Sequence, residues 1–156
     1  MKKILIYQKY NYNVAINLIF SNTNMTENQI MEKEVDTIIL DLLNLHSDEV
    51  SVDTQNFLDL LKFSLSLNTM EKKRVVDAAP TLSQFQFDEL IKVFTEERDK
   101  FKELAKEHPD DIKKLVAKQQ SEWIALGDLY KSELENQSIE SENKSKIDDI
   151  KASLGL

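Results

Sequence analysis

Residues 87–130 read FDELIKVFTEERDKFKELAKEHPDDIKKLVAKQQSEWIALGDLY, and their helical pattern is the clearest in the chain. Apolar residues recur at helical spacing on both sides of the break His108-Pro109-Asp110-Asp111. The recurring positions are Phe87, Leu90, Ile91, Phe94, Phe101, Leu104 and Ala105 before the break, and Ile112, Val116, Gln119, Trp123, Leu126 and Tyr130 after it. Steps of three and four residues place side chains on one face of a helix. The stretch therefore predicts two long helices folded back on each other as an antiparallel hairpin.

Arg98 falls within the apolar stripe of the first hairpin helix. An antiparallel pairing that turns at the proline sets Arg98 opposite the segment from Gln119 to Glu122. We therefore predict that Arg98 contacts Gln119 or Glu122 and fixes the register of the hairpin. The stripe itself spans about 140°, which is wider than a two-helix seam requires. The hairpin is thus expected to pack on the preceding helices as well, or to form a dimer.

Three shorter helices are predicted before the hairpin. Thr26 and Gln29 have the spacing of a capping box, which marks a helix start. Pro80 ends the third helix because its ring disfavours helical geometry in the residue before it. The predicted helices cover residues 27–44, 53–67, 70–79, 83–107 and 109–135. The expected fold is all-α, a single helical domain over 25–135 in which a small helical cluster packs on the long hairpin.

The two ends of the chain differ from this middle part. Residues 1–24 are rich in Asn and Tyr and contain three lysines and no acid, so we expect a weak strand pair or disorder there. Polar residues interrupt the apolar run that a signal peptide needs. The composition changes at Met25, which makes Met25 an alternative initiation site. Residues 136–156 are predicted to be a flexible polar tail because they hold few apolar residues.

The composition excludes several classes of protein. The formal net charge is −8, and no dense basic stripe occurs, so binding to nucleic acid is not expected. No apolar run approaches the roughly 20 residues that span a bilayer, so no membrane partner is expected. Cysteine is absent, which suits a reducing compartment, and a cytoplasmic location is therefore the expectation.

The residues that usually carry chemistry do not form a recognisable pattern. His46 and His108 lack the His, Asp or Glu partners at helical spacing that a metal site requires. The glycines Gly127 and Gly155 are isolated, so no phosphate-binding loop is present. Acidic residues near the break read as helix-capping or solvated groups. The sequence therefore predicts no catalytic residue, no metal ligand and no cofactor.

The function predicted from these observations is non-catalytic. We expect a protein-interaction, adaptor or assembly module that acts through the helical hairpin, with another protein or a second copy of the chain as its partner. Phe85 lies off the main apolar stripe and is the aromatic residue expected to face a partner. An alternative is an acidic regulator or inhibitor that occupies a basic site on its partner. A second alternative is a helical enzyme or a metal carboxylate protein. Binding by an acidic regulator would weaken steeply with salt.

Overall fold

The computed structural model describes residues 26–156, which form five α-helices and no β-strand. The helices are α1 (Glu27–Leu43), α2 (Thr54–Lys62), α3 (Thr69–Ala78), α4 (Gln84–Glu107) and α5 (Pro109–Ser153), with a 3-10 turn at Ala79–Thr81. The predicted all-α fold class is confirmed for these residues. The strand pair or disorder predicted for residues 1–24 lies outside the described residues.

Local capping explains where the helices begin. The Thr26 hydroxyl accepts a hydrogen bond from the backbone N–H of Gln29, and the Gln29 side chain accepts one from the backbone N–H of Thr26. This is the capping box predicted from the sequence. Other side-chain caps are formed by Asp53 at α2, by Asn68 with Glu71 at α3, and by Ser83 with Gln86 at α4. Pro109 begins α5, where its missing N–H costs no hydrogen bond.

The hydrophobic core lies where α5 packs against α1, α3 and α4, with α2 packed on α1 and α4. Phe57 of α2 is fully buried, and its ring meets Phe87 edge-on with the ring centroids 5.2 Å apart. Such edge-to-face pairs add favourable electrostatics to the buried area. The fully buried residues of α5 are Trp123, Leu126 and Tyr130. The middle of α5 is therefore the part of this helix that holds the body together.

The second helix is shorter than predicted, because α2 ends at Lys62 and not near residue 67. The carboxylate of Glu97 on α4 accepts hydrogen bonds from the backbone N–H of Leu65 at 2.9 Å and of Ser66 at 3.0 Å. It also accepts a hydrogen bond from the Ser64 hydroxyl. Charge-assisted hydrogen bonds of this kind are strong. They give these backbone groups a partner outside α2, so the helix ends before them.

The last helix is longer than predicted. The end predicted near residue 135 is wrong, since α5 continues to Ser153 and includes most of the segment expected to be a flexible tail. Residues 136–153 contain no glycine or proline, and they place Glu140 four residues before Lys144 and Glu142 four residues before Lys146. Such pairs support a helix without any contribution from packing. Residues 135–156 are nevertheless all exposed.

The predicted hairpin seam is buried only in its inner part. α4 and α5 meet at His108 and pack against each other, and the buried residues of α4 are Phe87 and Phe94. Nearer the break, Phe101 is half-buried and both Leu104 and Val116 are exposed. The other helices cover only the inner part of the seam. The outer part stays exposed because a two-helix pair alone leaves wide apolar stripes open to water.

Gly127 marks the closest approach of α5 to α1. A Cβ atom at this position would overlap Cγ2 of Val35, well inside van der Waals contact. Val35 is buried and β-branched, so it has little rotamer freedom in a helix. We expect Gly127→Ala to lower the free energy of unfolding by about 1–2 kcal/mol, because overpacking outweighs the gain in helix propensity.

Urea unfolding followed by circular dichroism measures this effect. Asp128→Ala, at the next and exposed position of α5, is the matched control and should change stability little. The double variant Gly127→Ala with Val35→Ala removes the clashing methyl groups, so it should show a favourable coupling between the two sites. A single variant as stable as the wild type would contradict the close approach.

Candidate functional site

The most unusual polar residue in the core is Lys72 of α3, whose exposed fraction is 0 %. Its Nζ donates a hydrogen bond to the backbone carbonyl of Lys62 at 2.9 Å and lies 5.9 Å from the Trp123 ring centroid. Burial lowers the pKa of Lys72 to about 8, against the opposing effect of the negative charges on Glu122 and Glu97. Lys72 is thus an ammonium group held in the core without a directly paired carboxylate among the described residues.

A second buried polar group connects α5 to α1 and α2. The indole Nε1 of Trp123 donates a hydrogen bond to Oδ1 of Asp36 at 2.8 Å. The Lys62 ammonium group lies 3.1 Å from the same carboxylate. Asp36 therefore satisfies the only polar side-chain atom of a fully buried tryptophan and neutralises a mostly buried lysine.

A third group joins α3 to α5. The Tyr130 hydroxyl donates to Asp77 at 2.8 Å, and Lys73 bridges Asp77 at 2.7 Å and Glu133 at 2.6 Å. Burial alone would lower the pKa of Lys73, but the hydrogen bonds and charges of Asp77 and Glu133 outweigh it and raise the pKa. These contacts stabilise the charged form of Lys73 in the folded protein.

The surroundings of these groups give each of them contacts within the folded body. A perturbed pKa often marks a functional site when the residue faces a cleft. Lys72 is enclosed by the core, and its ammonium group donates to a backbone carbonyl. His46 lies against the Phe87 ring and within 2.8 Å of the Ser47 carbonyl oxygen through Nδ1. Across residues 26–156, no group of three His, Asp or Glu side chains is placed to hold a metal ion.

An open groove with an apolar floor runs along the side of α4. Its volume is about 340 Å³, and we call it the α4 groove. Val93 and Leu104 line it with exposed fractions of 53 % and 45 %, and Phe101 is half-buried between them. The remaining lining residues are Ser66, Glu96, Glu97 and Lys100. The groove therefore combines an apolar surface with charged groups.

A smaller cavity of about 50 Å³ lies beside Gln119, between α5 and the segment that follows α2. Gln119 is buried, and its Nε2 has no hydrogen-bond partner among the described residues. Lys118 and Glu122 also line this cavity. Its size suits a single water molecule.

The structure does not join the predicted register residues by polar contacts. Arg98 is half-buried, and no hydrogen bond or ion pair links it to Gln119 or Glu122 within residues 26–156. Glu122 instead lies 3.8 Å from Lys118, and its carbonyl accepts a hydrogen bond from Thr69. Phe85, predicted to face a partner, is 72 % exposed.

The α4 groove was not predicted from the sequence because Val93 lies outside the main apolar stripe of the hairpin. Val93, Phe101 and Leu104 nevertheless stand eight and three residues apart and share a helix face. This second spacing is the signal that indicates the groove.

None of the helices within residues 26–156 combines the length and the apolar character that crossing a membrane requires. No protein-family model, curated protein or solved structure matches this chain at a significant level. The contacts and surfaces of the chain itself are therefore the basis for any functional proposal.

Proposed function

We propose that the protein is a non-catalytic interaction module, acting as an adaptor or assembly factor, that binds a partner protein through the α4 groove on the helical hairpin. The observation that supports this proposal is the exposure of Val93 and Leu104 on either side of Phe101. Apolar side chains that line one groove mark interaction surfaces more often than isolated exposed ones do.

The charges of the groove suggest the chemistry of the partner. Glu96 and Glu97 lie beside the apolar residues, with Lys100 on the same surface. Glu97 is already bound to the segment after α2. Glu96 is therefore the acid of the groove that can pair with a partner. An amphipathic helix that presents apolar side chains with a lysine or arginine at its edge fits this surface.

The acidic regulator is a second candidate, supported by the net charge of −8. Such a protein would bind a basic site mainly through long-range attraction, which salt screens strongly. A helix docked in the α4 groove by apolar contacts would lose little affinity between low and physiological salt. Salt dependence of the purified complex therefore separates the two candidates.

The test begins with the tagged full chain as bait in its native host and continues with the purified partner. We expect Val93→Asp and Leu104→Asp each to weaken the complex by at least about tenfold, because each places a charge on the apolar floor. Phe85→Ser is the matched control, since Phe85 is exposed but does not line the groove. The affinity of the Phe85→Ser variant for the partner should equal that of the wild type.

Two results would contradict the α4 groove as the binding site. One is full affinity in both aspartate variants together with loss of binding in Phe85→Ser, which would assign the contact to Phe85. The other is a steep fall in affinity with salt and no effect of any apolar substitution, which would favour the acidic regulator. Circular dichroism of each variant is the check that the helices are intact.

A further inference from the structure

The C-terminal part of α5 extends away from the body as a lone helix. Tyr130 is the last buried residue of α5, Glu133 still pairs with Lys73 of the body, and residues 135–153 continue for about 28 Å at about 1.5 Å per residue. All residues from 135 to 156 are exposed. A single helix without a partner gains no stability from packing, which supplies most helix stability in proteins.

One face of this extension carries an 11-residue pattern of uncharged side chains. Successive members are three, four, four, three and four residues apart, and we call them the α5 stripe: Asn136, Ile139, Asn143, Ile147, Ile150 and Leu154. The four apolar members are between 52 % and 67 % exposed. A repeat of eleven residues keeps such a stripe nearly parallel to the axis of a helix and is typical of coiled coils.

The α5 stripe is separated from the charged residues of the same segment. At about 100° per residue its members fall within an arc of about 80°, and the acids and lysines of residues 131–153 lie outside that arc. The stripe also lies on a different face from Trp123 and Tyr130, which pack on the body. The extension is therefore amphipathic and has no partner for its uncharged face among residues 26–156.

We propose that the α5 stripe binds the α5 stripe of a second copy of this chain, forming an antiparallel two-helix coiled coil centred on Asn143. This surface is separate from the α4 groove, so the proposal does not depend on that groove binding a partner. Each dimer would present two bodies at opposite ends of a shared helical rod.

Self-association follows from the chemistry of the stripe. An antiparallel pair centred on Asn143 places this residue opposite its equivalent and Ile139 opposite Ile147. A carboxamide both donates and accepts hydrogen bonds, so Asn143 is complementary to itself. An asparagine at the centre of a mainly apolar seam selects a defined number of strands and a defined register. The absence of charge on the stripe lets two copies of an acidic protein meet there without repulsion.

The flanking charges favour the antiparallel orientation. In a parallel pair, Glu135 would face the equivalent of Glu140, and Lys146 would face the equivalent of Lys151, so both contacts would be repulsive. In the antiparallel pair centred on Asn143, Glu140 instead lies next to the equivalent of Lys144, which is a favourable contact. Opposite charges along the edges of a seam set the orientation of the helices.

Cross-linking of the full chain tests the orientation, and the absence of cysteine in the sequence makes this test clean. We expect Asn143→Cys to form a covalent dimer with itself under mild oxidation. Ile150→Cys alone should remain monomeric in a denaturing gel, whereas a mixture of Asn136→Cys and Ile150→Cys proteins should cross-link. Efficient cross-linking of Ile150→Cys with itself, without a mixed dimer of Asn136→Cys and Ile150→Cys chains, would overturn the antiparallel arrangement.

Sedimentation equilibrium of the unmodified chain tests the association itself. The wild type should be mainly dimeric at about 100 µM, and Ile147→Asp should weaken the dimer by at least about tenfold. Ser145→Asp adds the same charge on the opposite face of the helix and should leave the dimer unchanged. A wild type that stays monomeric would overturn the proposal, as would a dimer that both aspartate variants retain. A monomeric chain that captures a different protein through Ile147 would also overturn it.

Discussion

Trp123→Ala is expected to lower the free energy of unfolding by about 3–5 kcal/mol, the usual cost of truncating a fully buried aromatic residue. The Trp123 side chain has no exposed surface and joins α5 to Asp36 of α1. Its removal leaves a cavity beneath Lys72 and takes away a hydrogen-bond donor from a carboxylate that also neutralises Lys62. Urea unfolding followed by circular dichroism measures the change, because the only tryptophan is lost as a fluorescent probe.

Two further variants separate packing from hydrogen bonding at this site. Trp123→Phe keeps most of the ring but loses the N–H donor, so we expect a smaller loss, which includes about 1–2 kcal/mol for the hydrogen bond. Phe85→Ala removes an exposed aromatic residue and should change stability by less than about 0.5 kcal/mol. A loss below about 1 kcal/mol in Trp123→Ala would show that α5 does not hold the body through this residue.

Lys72 is expected to make a contribution to stability that rises with pH, and Lys72→Met is expected to remove it. Burial lowers the pKa of Lys72 to about 8 in the folded protein, while the unfolded chain keeps the ordinary value of 10.5. Below pH 8 the residue is charged in both states, so the full cost of burying the charge is present. Between pH 8 and 10.5 the unfolded state binds more protons, and stability therefore increases with pH. The difference amounts to about 3 kcal/mol over this range.

The measurement is the free energy of unfolding of both proteins at several pH values between 7 and 10.5. The difference between Lys72→Met and the wild type isolates Lys72, because the other groups titrate in both proteins. Lys73→Met is the matched control. The pKa of Lys73 is raised in the folded protein, so Lys73 stabilises the fold at every pH below its unfolded pKa. This contribution is lost only as the pH rises through the folded pKa. A pH-independent difference for Lys72→Met would contradict the burial of a charged lysine.

Features determined by neighbouring residues were predictable from the sequence. The Thr26 capping box, the stop at Pro80 and the start of α5 at Pro109 all depend on interactions within one helical turn. Each appears in the structure where the local pattern indicates it. The all-α class follows from the same helical spacings.

Features that depend on distant residues were not predictable in this way. α2 ends at Lys62 because Glu97, more than 30 residues later, binds the following backbone groups. The Asp36 partner of Trp123 is 87 residues away in the sequence. The burial of Lys72 depends on helices that no local pattern brings together. The polar end of α5 was predicted to be a flexible tail because its apolar residues are few.

α5 thus divides into a middle part that holds the body and an extension whose uncharged face is proposed for a second copy. Hydrogen–deuterium exchange of the full chain at low and high protein concentration tests this division most directly. Amides in residues 119–130 should exchange slowly at both concentrations, and those in residues 138–150 should become slower as the concentration rises. Rapid exchange throughout α5 at both concentrations would contradict both roles of this helix.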